Sequence, residues 1–426
     1  MTKSEPVSQS IDEFLALCIS KSIKFIVVAL SGGVDSLSLL HALHSNLNNS
    51  TQKIRLSAVY IDHQLQADSS KWAVQNRQFC ESLAIPFESV QVEVDASLAS
   101  LEGAARKARY QALSKFVSVQ QTCLVTGQHL NDQAETFLLQ LFRGAGSKGL
   151  ASMPKVIRFA KGYLARPLLA VTREALEAYC HSHGLKAIED PTNQDTDIRR
   201  NFVRHELMPL IEQKWPQASK VIASASQIQA ENQQLLDELA AIDFESCYEV
   251  QHHSLVLAEV RQLSPQRVRN LLRYWLEACG ANMPSQVLLE QIQTQMLDAK
   301  EDANPVIELV NGSIRRFREA LYWVTVTAPD YSGLELKWPA NSDLFLNKQL
   351  LIPLEWLQQN YPHLVGKELI VKGRQGGERI RFEKRGQSVS LKNYFQERGI
   401  PPWSRSQVLL LEKDNEICGV YCESSE

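Results

Sequence analysis

One glycine-rich segment constrains the fold more than any other part of the chain. Residues 24–30 (KFIVVAL) are apolar and β-branched, and residues 34–43 repeat apolar side chains at helical spacing, with Ser31-Gly32-Gly33 between them. A buried strand that enters a tight turn and then a helix is the first half of a parallel βα unit. The free N–H groups at the start of such a helix attract anions. The segment therefore predicts an α/β fold with a phosphate site after its first strand.

The same strand–helix alternation continues through about the first 215 residues. Because parallel strands need helical crossovers, alternation of this kind predicts a doubly wound parallel sheet. Further strands are predicted at 55–61, 87–94 and 122–126, and further helices at 71–83, 102–117 and 132–142.

The remainder of the chain has a different character. Residues 216–310 hold 6 basic and 13 acidic side chains and favour helix, apart from a hairpin predicted at 306–326 around the turn Asn311-Gly312. A last segment mixes short β-like runs with one helix. We predict three domains: an α/β catalytic domain at 1–215, a mainly helical domain at 216–330 and a small mixed α+β domain at 345–426.

Charge and cysteine usage exclude several classes of protein. The 426 residues carry 45 Lys plus Arg and 48 Asp plus Glu, a net charge of −3 that excludes a globally basic nucleic-acid binder. The 8 Cys include no CxxC pair, so neither a zinc site nor a disulfide scaffold is expected. The N-terminus has no secretory pattern, and no apolar run could span a bilayer. We therefore expect a cytoplasmic protein, monomeric or homodimeric, without a membrane partner.

The average charge conceals a basic segment near the C-terminus. Between residues 366 and 405 there are 10 Lys or Arg and 4 Asp or Glu. Basic groups neutralise RNA phosphates without reading sequence. The turn Gly376-Gly377 and its neighbours Arg374, Arg379 and Arg381 are the predicted RNA contact, whereas the aromatic side chains of this segment are expected in its core.

The phosphate segment continues through Val34, Asp35 and Ser36. It lacks the lysine of the GxxxxGK[ST] loop and is not a GxGxxG dinucleotide fingerprint. Ser31 and Ser36 add hydroxyl donors. Asp35 would repel a bound triphosphate unless Mg²⁺ lay between them, so we expect it to act through that metal. The alternative is a carboxylate that only offsets the dipole of its own helix. The pattern SGGxDS resembles the pyrophosphate loop of the ATP pyrophosphatases.

A second constellation follows the strand predicted at 122–126. Gly127 and His129 precede Asp132 and Glu135, which share one helix face. Since ligands bind beyond the carboxyl ends of parallel strands, this loop and the phosphate loop should face one crevice. An acidic first turn that satisfies only its own helix dipole is the alternative. The Gly-rich continuation that contains Arg143 is suited to closing over an anion.

The motifs together resemble those of the tRNA(Ile)-lysidine synthetase family. They occur in the family's order along the first 215 residues and again in the last 60, with two departures: Gln64 stands where the family commonly has Gly, and Asn131 stands where Asp is frequent. The second departure moves any metal ligation to Asp132 and Glu135. The matching segments are SGGVDS, Asp62-His63, ExxARxxRY with Glu102, Arg106, Arg109 and Tyr110, GQHLNDQAETFLLQLFRGAGSKGL, the Arg166–Leu169 and Asp190–Asp195 segments, RNFVR, KGRQGGERIRF and SLKNYFQERGIPPWSR.

The resemblance implies a ligase that uses ATP and Mg²⁺ to join L-lysine to the wobble cytidine of an isoleucine tRNA with a CAU anticodon. Adenylation of the C2 oxygen would make it a good leaving group, and the neutral lysine ε-amine would then attack. The implied catalytic residues are Asp35, Asp132, Glu135, Arg109 and Arg143. The implied ATP-binding residues are Ser31, Gly32, Gly33, Val34, Asp35, Ser36, His63, Gly127 and His129, with Asp35 and Asp132 as metal ligands.

A basic stretch around Arg200, Asn201 and Arg204 is the second predicted tRNA contact. Its alternative is a solvated helix face. Three other functions remain open: insertion of sulfur into tRNA, which needs reactive cysteines, amide ligation of a metabolite, which needs no basic C-terminal segment, and nucleotide binding without catalysis, which needs neither Asp132 nor Glu135.

Overall fold

The computed structural model describes residues 5–49, 53–64, 69–94, 101–299, 303, 305–325, 330–347, 349–381 and 388–422, with only the backbone of residues 101, 102 and 193. These residues form two compact units, Met1–Leu235 and Leu236–Glu426.

A six-stranded sheet forms the centre of the first unit. Its strand order is β3-β2-β1-β4-β6-β5, and every neighbouring pair is parallel except the antiparallel edge pair β5–β6. The predicted doubly wound sheet is thus confirmed. The strands are β1 (Phe25–Ala29), β2 (Arg55–Asp62), β3 (Phe87–Gln91), β4 (Thr122–Val125), β5 (Val156–Phe159) and β6 (Gly162–Ala165).

Helices cover both faces of this sheet. They are α1 (Pro6–Ser20), α2 (Val34–Asn48), α3 (Ser69–Ser82), α4 (Leu101–Ser114), α5 (Leu130–Leu141), α6 (Ser147–Leu150), α7 (Arg173–Ser182), α8 (Arg199–Phe202) and α9 (Met208–Lys214); 3₁₀ turns occupy Pro167–Ala170 and Pro191–Gln194, and a π-helical turn, Val203–Leu207, joins α8 to α9.

Strand β1 shows why its sequence is apolar throughout. Ile26 and Val28 face the core that includes α1, α2 and α7, whereas Val27 faces a second core on the opposite side. Because successive side chains alternate between faces, a strand covered on both faces needs an unbroken apolar run. The chain reverses direction across the sheet between β1 and β4. The loops after these two strands therefore flank the crevice where doubly wound sheets bind ligands.

Helices and a sheet build the region after residue 217. A five-stranded sheet of order β7-β8-β11-β10-β9 packs with the helices around the buried Trp275. The predicted helices are present, and the sheet is added to them. The elements are α10 (Ala218–Cys247), β7 (Tyr248–Glu249), β8 (Ser254–Val256), α11 (Leu257–Val260), α12 (Pro265–Ala278), α13 (Gln286–Ile292), a π-helical turn (Gln293–Leu297), β9 (Val306–Leu309), β10 (Gly312–Phe317) and β11 (Ala320–Thr325).

The predicted hairpin is present with its turn shifted by one residue. Gly312 pairs with Leu309, so Val310 and Asn311 form the loop. Asn311 also links the hairpin to the end of α12, because its side-chain Nδ2 donates to the Gly280 carbonyl at 2.7 Å.

The C-terminal region mixes strands and helices as predicted. Its main sheet has the order β12-β15-β18-β19-β16-β17. Its cores are separate from the one around Trp275. The division into domains at 1–215, 216–330 and 345–426 stays a prediction. The elements are β12 (Glu335–Trp338), β13 (Leu344–Leu346), β14 (Gln349–Ile352), α14 (Leu354–Asn360), a 3₁₀ turn (Pro362–Leu364), β15 (Leu369–Gly373), β16 (Arg379–Arg381), β17 (Ser388–Ser390), α15 (Leu391–Glu397), a 3₁₀ helix (Pro402–Gln407), β18 (Leu409–Lys413) and β19 (Glu416–Tyr421).

None of the helices in the described part of the chain is both long and apolar enough to cross a membrane.

Candidate active site

The hydroxyl of Ser36 organises the phosphate loop. Its Oγ accepts the backbone N–H groups of Ser31 and Gly32 at 3.2 and 3.0 Å and lies 3.1 Å from the Gly33 carbonyl, to which it donates. Ser31 Oγ lies 3.0 Å from the same hydroxyl. A side chain one turn into α2 thus shapes the loop that precedes the helix. The first-turn N–H groups of Val34 to Ser36 stay available for an anion, because an α-helix leaves its first donors without intrahelical partners.

Gly32 occupies a conformation that few other residues adopt. Its φ is +89°, and a Cβ there would lie 2.3 Å from Ile188 Cδ1 and 2.7 Å from Asn76 Oδ1. Its neighbour Gly33 caps α2 with φ −72°. The two glycines of SGGVDS therefore differ in role: the first is required by geometry, and the second keeps the approach to the helix open.

Gly127 brings the second predicted loop against the start of α2. A Cβ at Gly127 would lie 3.0 Å from the Asp35 carbonyl carbon and 3.1 Å from the Ser36 nitrogen. The end of β4 and the first turn of α2 are therefore in backbone contact. This contact brings together the two constellations that the sequence placed at one crevice.

His129 links the carboxylates of the two loops. Its Nε2 lies 3.8 Å from Asp35 Oδ2 and 3.6 Å from Asp132 Oδ2, and its side chain is 1% exposed. Its backbone N–H donates to Asp132 Oδ2 at 3.0 Å, which caps α5. A buried imidazole thus lies between one carboxylate of each predicted cluster.

Two arginines from α8 and the π-helical turn bind the acidic face of α5. Arg200 donates from Nη2 to Asp132 at 2.8 Å and from Nε to Glu135 at 2.9 Å. Arg204 donates from Nη2 to Asp132 at 2.9 Å and from Nε to Glu135 at 2.6 Å. Each arginine bridges both carboxylates, so the four side chains form one closed network. The two positive and two negative charges of this network cancel, as a buried ionic cluster requires.

The two aspartates of the crevice have opposite pKa shifts. Burial acts to raise the pKa of Asp132, but His129, Arg200 and Arg204 outweigh it and hold that pKa below the ordinary 3.8. Burial raises the pKa of Asp35 above 3.8; His129 opposes the rise and Asp132 adds to it. The Asp35 side chain still keeps 42% of its surface exposed. Asp132 is therefore a fixed anion, and Asp35 is the carboxylate that gains most from a cation.

A pocket of about 260 Å³ adjoins this network within the first unit. Asn131 forms part of its wall, accepting the Arg173 N–H at 3.0 Å through Oδ1. Arg173 and Arg204 supply positive charge, and Glu135 and Glu212 supply negative charge. The pocket therefore offers both signs of charge, as a zwitterionic ligand needs. Its lining residues are Asn131, Glu135, Arg173, Arg204, His205, Met208, Pro209, Glu212 and Ser219.

Asn201 stabilises the loop before α8. Its Nδ2 donates to the carbonyls of Thr192 and Asp195, both at 2.9 Å, and the residue is 7% exposed. Asp190 caps the same turn by accepting the Thr192 N–H at 2.9 Å. Asn201 is thus held inside the protein, and its predicted contact with tRNA remains a prediction.

His63 follows β2 on the other side of β1. Burial lowers the pKa of His63, and the adjacent Arg109 lowers it further, while Asp62 acts in the opposite direction. Its Nδ1 is buried without a hydrogen-bond partner in the described residues. Gln64, where the family commonly has Gly, adopts φ +56° and donates its N–H to Asp62 at 2.9 Å. The departure thus occupies a backbone position that suits glycine.

The other predicted site residues lie in varied surroundings. Arg143 is exposed, and within the described residues it makes no hydrogen bond or ion pair with Asp35, Asp132 or Glu135. In the second unit, Arg379 donates to Ser388 at 2.6 and 2.7 Å, and Arg381 pairs with Glu416 at 2.9 Å. Arg374 lies beside Glu378, at 3.9 Å. Their functional assignments stay predictions.

The side chains of the crevice fit a Mg²⁺ ion bound by one carboxylate better than one bound by two. No described group of three or more His, Cys, Asp or Glu side chains is arranged as a metal site. Both oxygens of Asp132 already accept hydrogen bonds, whereas Asp35 is partly exposed beside the phosphate loop. Mg²⁺ commonly uses one or two carboxylates plus substrate phosphates. The residues present therefore fit a metal held by Asp35 and a triphosphate.

The cysteines of the first unit do not form a reactive centre. Cys18, Cys80, Cys123 and Cys180 are all buried and unpaired. Burial raises the pKa of Cys18 and of Cys80 to about 12. A thiol with so high a pKa is a poor nucleophile and a poor cluster ligand at neutral pH.

Sequence reasoning missed Arg173, Glu212 and Ser219. Ser219 Oγ donates to Glu212 at 2.5 Å and lies 3.5 Å from Asn131 Nδ2. They come from α7, α9 and α10, between 42 and 88 residues from Asn131 along the chain. No local pattern marks them, and Glu177, four residues after Arg173, gave that arginine an ordinary surface partner at 2.8 Å.

Comparison with known families defines the class of protein first. Residues 4–211 match the PP-loop domain, which agrees with the phosphate loop and crevice described above. The chain is thus a PP-loop protein of the ATP-using type. Two further family models match segments of the remaining chain: the TilS substrate binding domain at 255–322 and the TilS substrate C-terminal domain at 369–421.

Curated relatives define the family. Proteins named tRNA(Ile)-lysidine synthase are 36% identical to the chain in Proteus mirabilis, over 91% of this chain and 88% of the relative, and in Coxiella burnetii, over 93% and 88%. The chain belongs to the tRNA(Ile)-lysidine synthase family. Among solved structures, the U34-tRNA thiolase NcsA from Methanococcus maripaludis with its [4Fe-4S] cluster aligns with 53% of this chain and 78% of its own. The two chains are 16% identical, and the TM-score of 0.44 is too low to bear on function.

Proposed function

We propose that this protein is a ligase that joins L-lysine to C2 of the wobble cytidine in the CAU anticodon of an isoleucine tRNA, with ATP as the energy source. The observation that carries the proposal is the position of His129, 3.8 Å from Asp35 of the phosphate loop and 3.6 Å from Asp132. It joins a nucleotide site to a fixed carboxylate–guanidinium network, in a chain whose relatives are named for this reaction. A tRNA substrate also implies a cytoplasmic protein.

The proposed reaction has two steps. The C2 oxygen of cytidine first attacks the α-phosphorus of ATP, an O–P bond forms, and pyrophosphate leaves. The neutral ε-amine of lysine then attacks C2, a C–N bond forms, and AMP leaves with the C2 oxygen while the amine loses its proton. The first-turn N–H groups of α2 and the Ser31 hydroxyl would hold the phosphates. Mg²⁺ at Asp35 would offset their charge.

We place the lysine in the pocket beside the network. Its volume of about 260 Å³ suits a small metabolite rather than a nucleotide. Arg173 and Arg204 could pair with the α-carboxylate, and Glu212 with an ammonium group. The pocket shares Glu135 and Arg204 with the network, so a ligand there would lie beside the carboxylates that face the crevice.

The closed network suggests a refined role for Arg200 and Arg204. Their guanidinium groups are directed at Asp132 and Glu135, and their side chains are 26% and 21% exposed. We propose that they fix the carboxylates and contact RNA only through the donors that remain free. Arg109 and His63, beyond β2, would lie on the nucleotide side of the crevice, and Arg143 would reach the substrate from its exposed loop.

Labelled lysine tests the proposal directly. Purified protein, ATP, Mg²⁺ and radiolabelled lysine should label an isoleucine tRNA transcript with a CAU anticodon and release AMP. The matched control is Asp35→Asn, which keeps the side-chain shape and removes the charge, and it should give no label above background. A transcript with G at the wobble position should also remain unlabelled. Equal labelling of both transcripts, or none with the native protein, would contradict the proposal.

Sulfur insertion is not favoured, because the four thiols of the first unit are buried and their pKa values are raised. The same incubation with a sulfur donor in place of lysine distinguishes the two reactions.

A further inference from the structure

Three arginines of the second unit converge on helix α15, and we term Arg318, Arg374 and Arg405 the arginine cluster. The guanidinium carbons of Arg374 and Arg405 lie 5.5 and 5.6 Å from the ring centroid of Phe395. Phe395 is fully buried, so its ring is a fixed platform. Arginines that stack on one aromatic ring keep their charge near the surface while their direction is fixed.

Arg318 reaches the same helix from the β10–β11 turn. Its backbone is left-handed, with φ +54°, as a two-residue hairpin turn requires. Its Nη2 donates to the Gln396 carbonyl, and its Nη1 would lie 3.2 Å from a Cβ at Gly399. A residue within the substrate-binding match therefore lies against the C-terminal-domain match.

Trp403 holds the hairpin against this region. Its ring packs edge-on against Phe317 and Tyr322, with ring centroids 6.0 and 5.4 Å apart. The guanidinium of Arg315 lies over the same ring at 5.6 Å. Contacts of this kind order the hairpin before any ligand binds, which lowers the entropic cost of binding.

The cluster has more positive charge than the described residues around it balance. Within the described residues, Glu378 is the one carboxylate at ion-pair distance from any of the three, 3.9 Å from Arg374 Nε. That Nε and Glu378 Oε2 are both buried and have no hydrogen-bond partner among the residues that the structure describes. Glu378 Oε1 instead accepts backbone N–H groups, including that of Gly376 at 2.6 Å.

The positive charges of Arg374 and Arg318 act on Arg405. Burial lowers the pKa of Arg405, and Arg374 and Arg318 lower it further. Only the Nε of Arg405 has a backbone acceptor in the described residues, the Ile400 carbonyl at 3.1 Å. Among the described residues, the Nη groups of Arg374 and Arg405 donate no hydrogen bond, and one carboxylate lies offset from the three guanidinium groups. A bound anion stabilises such an arrangement.

We propose that Arg318, Arg374 and Arg405 form a binding site for a phosphodiester of the tRNA backbone. The inference rests on the proposed tRNA substrate, and it adds Arg318 and Arg405 to the contacts expected from the sequence. The segment from 366 to 405, with 10 basic and 4 acidic residues, supplies the surrounding positive field. Guanidinium groups match the paired oxygens of a phosphate geometrically. The site would position the RNA without reading its sequence.

Salt-dependent tRNA binding by the full-length protein tests the site. Arg405→Gln and Arg318→Gln should each weaken binding and reduce the slope of log affinity against log salt by about 0.9. Arg405→Lys keeps the positive charge, so this variant should retain most of the native salt slope. Arg77→Gln is the matched control, since Arg77 stacks on the Phe87 ring at 5.1 Å in the first unit, and it should leave the slope unchanged. The two Gln variants should lose as much affinity for a non-cognate tRNA as for the cognate one, because a phosphate contact does not read sequence.

Two results would overturn the site. Unchanged affinity and slope in both Gln variants, with a lowered melting temperature, would show that the cluster is structural only. Saturable stabilisation by inorganic phosphate that the Gln variants lose, without any change in tRNA affinity, would show a free-anion site. Lysine transfer at saturating tRNA is measured in parallel. If the native protein transfers none while its binding slope still depends on the cluster, the proposed function fails and the RNA site stands.

Discussion

Arg204 binds both carboxylate oxygens of Glu135, with its Nε 2.6 Å from Oε1 and its Nη2 3.0 Å from Oε2. The glutamate side chain is 3% exposed, so this pairing neutralises a charge that water cannot reach. Arg200 adds a third hydrogen bond to the same carboxylate, at 2.9 Å. The acidic face of α5 is therefore preorganised by the helix segment that follows residue 198.

Removing one cation from this network should destabilise the protein. Arg204→Gln leaves Glu135 with Arg200 alone. We expect a loss of about 2 kcal/mol in the free energy of unfolding, because hydrogen bonds to a buried charged group are removed. Urea unfolding measures it. The matched control is Lys155→Gln, which removes an exposed pair with Glu13 and should change stability by less than about 0.5 kcal/mol.

A double variant tests the explanation for that loss. Arg204→Gln combined with Glu135→Gln should be more stable than the sum of the two single losses predicts, since neither charge is then left alone. Strict additivity would contradict the network. Lysine transfer should be lost in all three variants.

Asp35→Asn should separate stability from activity. Because burial and the adjacent Asp132 raise the pKa of Asp35, its ionised form is disfavoured in the folded protein at neutral pH. The Asn variant should be at least as stable as the native protein at pH 7, yet lose lysine transfer by about 100-fold or more. The stability advantage should shrink as pH falls and the native carboxyl protonates. A clear loss of stability at pH 7 would contradict this account.

The contribution of Asp132 to the free energy of unfolding should depend on pH in the opposite direction. Its folded-state pKa lies below the ordinary 3.8, so its ionised form stabilises the fold above that value. This contribution should be complete at neutral pH and should disappear as pH falls below about 4, through the folded pKa. Unfolding free energies of the native protein and Asp132→Asn should therefore differ most at pH 7 and converge in acid. A constant difference between pH 7 and pH 3 would contradict the assignment.

Local signals predicted the phosphate loop and the elements on either side of it well. Strand β1, Gly32 and the start of α2 are encoded in consecutive residues, because an apolar run, a left-handed glycine and an amphipathic helix are properties of short segments. The position of the second loop relative to the first was predicted from the topology of a parallel sheet. The carboxyl ends of β1 and β4 meet wherever a parallel sheet forms, as the approach of Gly127 to Asp35 demonstrates.

Pairings across long separations could not be predicted in this way. Asp132 and Arg200 are 68 residues apart, and the acidic and basic faces of their helices were each consistent with ordinary solvent exposure. The sequence did contain one signal. Asp132 and Glu135 are spaced to share one helix face, and Arg200 and Arg204, of opposite charge, are spaced to share a second helix face. The five-stranded sheet of the second unit was predicted only in its hairpin part, because β7 and β8 are two and three residues long. Strands that short carry no periodic pattern.

Adjacent glycines in the phosphate loop should respond differently to alanine. Gly32→Ala places a Cβ 2.3 Å from Ile188 at φ +89°, whereas the nearest atom to a Cβ at Gly33 is 3.7 Å away. We expect Gly32→Ala to cost about 1–3 kcal/mol of stability and to raise the KM for ATP. Gly33→Ala is the matched control and should cost less than about 1 kcal/mol. Equal losses in thermal and urea unfolding would contradict the difference in their roles.

Asn201 offers a test of the loop that precedes the arginines. Asn201→Ala removes two buried hydrogen bonds, to the Thr192 and Asp195 carbonyls, and leaves both acceptors unsatisfied. We expect a loss of about 2 kcal/mol and a fall in lysine transfer, because Arg200 is the preceding residue and shares its helix. The KM for tRNA at constant salt distinguishes this role from direct RNA contact. A structural role lowers kcat and stability together, whereas a loss of tRNA affinity at unchanged stability would assign Asn201 to the RNA surface.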